Sequence, residues 1–217
     1  MKQAVGILLL GLLSLSFSVE DAVLNLEKRF SSLQSLQADF EQVEYSASLV
    51  TPLSEKGRFY YQKPDLMRWE YEEPERNVYL YKGGISLAYF PEDNQLFRHT
   101  LSPEEKDSEI FALLTGKQKL TDNYLIEAAS FPSEKKAPVQ LKLIPKREGE
   151  FSYILLEVNE KTWLIDTAVF FDWTDNKREF HFSQAKANPR LGSRLFELEV
   201  PPDCEVIDDL PPLKQSR

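Results

Sequence analysis

Residues 57–99 read GRFYYQKPDLMRWEYEEPERNVYLYKGGISLAYFPEDNQLFRH, and their pattern decides the fold class. Phe59 and Tyr61 share one face of an extended run, and Met67, Trp69 and Tyr71 share a face of the next. Val78 and Leu80 do the same in a third run, and Ile85, Leu87 and Tyr89 in a fourth. Period-two alternation rich in aromatic and β-branched residues is the mark of strands with one buried face. The breaks are Lys63-Pro64-Asp65, Glu73-Pro74-Glu75, Gly83-Gly84 and Pro91-Glu92-Asp93-Asn94, residues suited to tight corners. The stretch therefore predicts an antiparallel meander. A sheet of this kind buries one face, so another part of the chain or a ligand must cover it.

Downstream, residues 124–128, 139–144, 153–158 and 163–171 alternate or run apolar, divided by FPSEKKAP, KREGE, NEKT and DWTDNK. Phe180 and Phe182 mark a further strand, and Phe196, Leu198 and Val200 are expected to close the sheet before Pro201-Pro202. Residues 184–194 read as a long return loop and 208–217 as a polar tail. With the earlier runs, about eleven strands stand against two modest helices, which predicts one large, strongly curved antiparallel sheet.

The first helix begins near residue 20, where Val23, Leu26, Phe30 and Leu33 recur at helical spacing and Asp21 serves the N-terminus. Serines 31, 32 and 35 are poor helix formers, so the helix ends near Ser35 and a strand starts near Gln37, with Ala38, Phe40 and Gln42 on one face. The second helix spans 102–116. Ser102 caps it, Pro103 takes the first position, Glu104 and Glu105 follow, and Gly116 stops it. Ile110, Phe111, Leu113 and Leu114 make its last turns apolar. By pattern alone, either stripe reads as core packing on the sheet.

The 217 residues suffice for one sizeable core, and no stretch reads as a linker. A formal charge of -9 argues against a general nucleic-acid binder, because phosphate binding needs an excess of cations. Lys2, the run AVGILLLGLL and the small Ser16 and Ser18 predict a signal peptide over 1–18, leaving one domain over 19–217. The apolar run is short for a spanning helix, and no cysteine near the cleavage site offers a place for a lipid. The single cysteine, Cys204, excludes an internal disulfide and reads as a small apolar side chain.

Chemistry has little to work with. The two histidines, His99 and His181, are far apart, and there is no zinc, P-loop, nucleophile-elbow or dinucleotide motif. Paired acids such as Glu72-Glu73 and Asp208-Asp209 fall in turns or the tail. The chain reads as a non-enzyme without cofactor or metal. Its surplus is apolar and aromatic area, worth roughly 25 cal/mol per Å² to whatever it buries.

The same stretch resembles the LolA family of periplasmic lipoprotein carriers. The resemblance is carried by a Gly-led strand at Gly57, a basic residue before Pro64, Trp69 after it, a second proline behind an acidic segment, a tight Gly turn, and a strand ending Tyr-Phe-Pro. It continues through WLIDTAVFFDWTDNKREFHFSQAKANPRLGSRLFELEVPPDCEVI and so covers nearly all of the chain after residue 20. It implies an incomplete, unclosed β-barrel with a helical lid over an apolar cavity, the cavity and lid being Leu26, Phe30, Met67, Trp69, Ile110, Phe111 and Leu114. It places Lys63, with Pro64, at the rim where the family usually has Arg, a residue implicated in holding the lid and handing cargo on. Lys offers one flexible charge where Arg offers a planar fork, so the lock would be built differently. Met67 likewise stands where an aromatic is common, and its thioether suits an adaptable surface.

The implied function is that of a monomeric periplasmic chaperone. It would collect acylated outer-membrane lipoproteins from an inner-membrane ABC-type release complex and pass them to an outer-membrane-anchored acceptor lipoprotein. A carrier of free lipid or glycolipid fits the same residues, and so does a non-enzymatic interaction module whose core is filled by its own side chains.

Overall fold

The computed structural model describes residues 18–47, 49–102, 119–135 and 138–208. Helix α1, Val19–Ser32, starts where Ser18 accepts a hydrogen bond from the Asp21 N–H, with Glu20 and Asp21 in the first turn. Its Ala22, Val23, Leu26 and Phe30 are buried. Carboxylates at the N-terminus and Arg29 in the last turn both oppose the helix dipole favourably. Leu33, extended and fully buried, turns the chain directly into the sheet.

Among the described residues, twelve strands form one sheet. They are β1 Ser35–Tyr45, β2 Leu53–Gln62, β3 Leu66–Glu73, β4 Asn77–Lys82, β5 Ile85–Phe90, β6 Gln95–Thr100, β7 Tyr124–Ala128, β8 Val139–Pro145, β9 Phe151–Val158, β10 Ile165–Asp172, β11 Lys177–Ala187 and β12 Glu205–Asp208. A single-turn helix α2, Leu120–Asn123, leads into β7. The order is β12-β6-β5-β4-β3-β2-β1-β11-β10-β9-β8-β7: two sequential meanders joined where β1 meets β11.

Local chemistry sets the corners. Gly83 and Gly84 both have positive φ, 61° and 81°, as a two-residue hairpin turn requires. Gly57 is needed for another reason: a Cβ there would lie 2.0 Å from the Glu70 carbonyl oxygen, where β2 and β3 slip register.

Four expectations are corrected. The sheet is open and not strongly curled, where a strongly curved barrel-like sheet was expected. Among the described residues, extensive backbone contacts between strands join only neighbours in the order, and the edge strands β7 and β12 pair only with β8 and β6. α1, a cylinder of about 10 Å diameter, and a layer of aromatic rings occupy the inner face and hold apart strands that a tighter roll would bring together. Second, the sheet, with twelve strands among the described residues where about eleven were expected, is not wholly antiparallel, because β12 pairs with β6 in parallel.

Third, residues 196–200 are not a strand. Ser193–Phe196 is a 3-10 turn, and Phe196 inserts with Tyr60 and Leu80 into a small second core on the outer face, with Leu195 and Leu198 alongside. The alternation of Phe196 and Leu198 thus serves a strap laid across the sheet. Arg68 donates to the carbonyls of Leu195 and Glu197, and Lys82 to that of Phe196, so cations satisfy the strap's backbone. β11 also runs on to Ala187, inside the span expected as loop. The expected signal peptide up to residue 17 and nearly all of the helix expected over 102–116 lie outside the described residues.

Candidate functional site

The inner face carries the main core, and the register explains why. Residues opposite one another in an antiparallel pair share a face. Met67 opposes Tyr61 and Tyr81, Trp69 opposes Phe59 and Tyr79, and Phe40 opposes Phe182. The outcome is a bed of rings spanning β3 to β11. Phe40 meets Trp69 edge-on at 4.9 Å and Tyr71 at 5.0 Å, while Trp69 lies 5.4 Å from Phe180 and 6.2 Å from Phe182. These are the offset and T-shaped distances that aromatic quadrupoles favour.

Of the residues singled out from the sequence, Leu26 and Phe30 of α1 and Met67 and Trp69 of β3 are all buried in this one cluster. Ile110, Phe111 and Leu114 lie outside the described residues. Beneath the C-terminal half of α1 remains an apolar cavity of about 20 Å³, bordered by Phe30, Leu36, Ala38, Phe59, Ile165 and Phe182. That is the space of about one water molecule.

Lys63 sits in the turn between β2 and β3, and its Nζ donates to the carbonyl of Ser31 at 2.7 Å. Ser31 is in the last turn of α1, where carbonyls lack helical partners and the dipole is negative. Pro64 follows across a cis peptide bond. Glu27, midway along α1, accepts from the Thr121 N–H of α2 at 3.4 Å.

Sequence reasoning did not single out Phe40, Tyr71, Phe180 and Phe182 as wall residues, although each sits in an alternating run. It placed Gln42, buried at 6% exposure on the inner face of β1, on one face with Ala38 and Phe40 but gave it no role. The signal was present in the Ala38-Phe40-Gln42 alternation, where an amide follows two apolar residues. Among the described residues, no group of His, Cys, Asp or Glu is placed to hold a metal ion. Cys204 is partly exposed and unpaired.

The profile of the family described as outer membrane lipoprotein carrier protein LolA matches residues 31–199. The chain belongs to the LolA family. Its relatives include the outer-membrane lipoprotein carrier protein of Methylococcus capsulatus, 28% identical over 188 residues that cover 85% of this chain and 86% of that protein. The protein of the same name from Coxiella burnetii (strain RSA 331) is 27% identical, covering 93% and 94%. Among solved structures, an uncharacterized conserved protein from Thermus thermophilus aligns over 88% of this chain and all of that one, with TM-score 0.58 and 14% identity, a likeness of fold. With LolA-family membership come a non-catalytic carrier role in lipoprotein transport and a periplasmic location.

Proposed function

We propose that the inner face is the wall on which acyl chains of outer-membrane lipoproteins are carried, and that α1 is the cover they displace. The observation that supports this most directly is the pairing of an aromatic bed with a short amphipathic helix whose Leu26 and Phe30 are buried in the same cluster as Phe40 and Trp69. On this reading residues 1–18 are a leader, 19–217 one carrier domain acting as a monomer, and Leu26, Phe30, Met67 and Trp69 surfaces that exchange each other for cargo. Lys63 and Pro64 are the rim that governs transfer. Cargo arrives from an inner-membrane ABC-type complex and leaves to an acceptor anchored in the outer membrane.

Magnitudes favour an exchange over a preformed hole. A sixteen-carbon tail buries about fifteen methylenes at about 0.8 kcal/mol each, roughly 12 kcal/mol in all. Such a ligand in an empty greasy cavity would not leave. Lifting Val23, Leu26 and Phe30 off the sheet opposes binding by about 1.5–3 kcal/mol per side chain, which offsets much of that gain. The same packing then helps expel the tail when an acceptor competes.

The test is a titration of the folded protein with an environment-sensitive apolar dye, followed by a triacylated lipopeptide. Saturable dye binding displaced by the lipopeptide is the expected result. Absence of both in a protein that remains folded would instead make the inner face a permanently filled core.

A further inference from the structure

The apolar stripe of β1 is interrupted where it leaves the area beneath α1. Leu36, Ala38 and Phe40 alternate on the inner face, and the next residue there is the buried Gln42. Its carboxamide is engaged at both ends. The Tyr71 hydroxyl donates to Oε1 at 2.7 Å, and Nε2 donates to Glu55 Oε2 at 2.9 Å. Glu55 stands directly opposite Gln42 in the register, and Glu44 opposes Arg178. Arg178 reaches Glu44 only at 3.9 Å, and its Nε is buried without a hydrogen-bond acceptor. These five side chains make a patch of donors and acceptors set into a hydrophobic wall, at the end of the sheet remote from Lys63.

An aromatic ladder passes beside it. From Phe40 and Tyr71 the rings step outward across β4, β5 and β6: Tyr71 to Tyr79 at 5.5 Å, Tyr79 to Phe90 at 6.0 Å, and Phe90 to Phe97 at 5.7 Å. A wall that touched only hydrocarbon would gain nothing from a buried amide beside it, since polar groups away from water must find partners. The chemistry that matches both features at once is a molecule whose tails begin at amide and ester linkages.

We infer that Gln42, Glu55, Tyr71 and Arg178 form a head-group station for an acylated, glyceride-bearing cysteine, with its tails laid along the ladder. This rests on the carrier reading and deepens it. The carboxylate of Glu55 accepts the amide N–H of the acylated cysteine, and the Arg178 guanidinium donates to an ester or amide carbonyl. An amide N–H beside the acyl esters is what such a cysteine offers; a diacyl glycerolipid such as phosphatidylglycerol lacks it and brings an anionic phosphodiester and head-group hydroxyls instead.

The experiment compares three probes on the folded full-length domain: a triacylated cysteine peptide, phosphatidylglycerol, and palmitate. The variants are Gln42→Leu and, because that change strips partners from Glu55 and Tyr71, the milder half-exposed Arg178→Met and Glu55→Gln. The expected result is that Glu55→Gln and Arg178→Met each weaken the peptide tenfold or more while palmitate changes less than threefold. Phosphatidylglycerol, whose phosphodiester is an anion, should weaken with Arg178→Met and bind no more weakly with Glu55→Gln, which removes a like charge. Parallel changes for peptide and palmitate, or none for either, would overturn the station while leaving the carrier reading intact. Equal losses for peptide and phosphatidylglycerol in every variant would overturn the choice of acyl-cysteine over glycerolipid. A parent that binds none of the probes would remove the carrier reading, and the station with it.

Discussion

Lys63 reaches from the β2–β3 turn to the last turn of α1, where its Nζ donates to the Ser31 carbonyl across 2.7 Å. One charge thereby ties the C-terminal turn of α1 to the β2–β3 turn. A charge-assisted hydrogen bond contributes about 1.5–3 kcal/mol, and solvent access puts this one toward the low end. Lys63→Leu should keep cargo uptake, since the apolar wall is intact, but slow transfer to the acceptor; Lys63→Arg should restore transfer. Loading with an acylated lipoprotein followed by timed handover measures both steps. Unchanged handover in the Leu variant would reduce Lys63 to a turn residue.

Truncations in α1 should show a ceiling. Leu26→Ala or Phe30→Ala in an ordinary core costs about 2–5 kcal/mol. Once α1 can lift away on its own, however, further truncation weakens only the local contact and not the sheet. The double variant should therefore lose less global stability than the two single losses added together, with fast amide exchange confined to α1. Urea unfolding and hydrogen exchange read these quantities, and strict additivity would mean that α1 unfolds only with the whole molecule.

Glu55 gives the protein a pH response with a defined sign. Burial, then the neighbouring Glu44, raises its carboxyl, Arg178 counters this, and Glu75 adds to the rise. Tyr71 and Tyr79, raised mainly by burial, stay neutral throughout the range concerned. A carboxyl raised in the folded state binds more protons there than in the unfolded chain. Its contribution is complete below the unfolded value of 4.5 and is lost as pH rises through the higher folded value. Urea midpoints from about pH 4 to 7 should fall more steeply in the parent than in Glu55→Gln. Superimposable pH slopes would show that Glu55 is not perturbed.

Gly57→Ala tests the close approach of β2 to β3. Its Cβ would meet the Glu70 carbonyl oxygen at 2.0 Å, a backbone atom that cannot swing aside. The strands must part, and a loss of about 1–3 kcal/mol is expected, as for other overpacked sites. A melting temperature equal to the parent's would show that the bulge relaxes freely.

Much of this was legible because it is local. The Gly83-Gly84 corner, the paired faces of β2 and β3 and the stripe of α1 each follow from residues within a few positions. What escaped depends on distant partners. Phe196 and Leu198 alternate as a strand would, and only Tyr60 and Leu80, far away in sequence, turn them into a strap. The degree of curl is likewise set by what fills the inner face and not by any one strand. For the candidate site, Lys63 before Pro64 read from the residues alone as a turn, and only the family resemblance gave it a role. The patch at Gln42 was not legible, because its meaning depends on Glu55 and Tyr71 arriving from two other strands.

The seam between β1 and β11 has a consequence for the order in which the chain assembles. Within each meander, strands pair with their sequence neighbours, but Leu36 meets Ala187 and Tyr45 meets Lys177. Short-range hairpins close quickly, whereas a contact between residues so far apart waits for the whole intervening chain. Two half-sheets should therefore form first, each exposing half of an aromatic bed, and dock as the seam zips. The strap and β12 then bind the second half back onto the first. Pulse-labelled amides of β4 and β5 should gain protection before those of β1 facing β11; simultaneous protection would point to one concerted nucleus. During that interval the nascent carrier itself displays the kind of greasy surface it exists to shield in others.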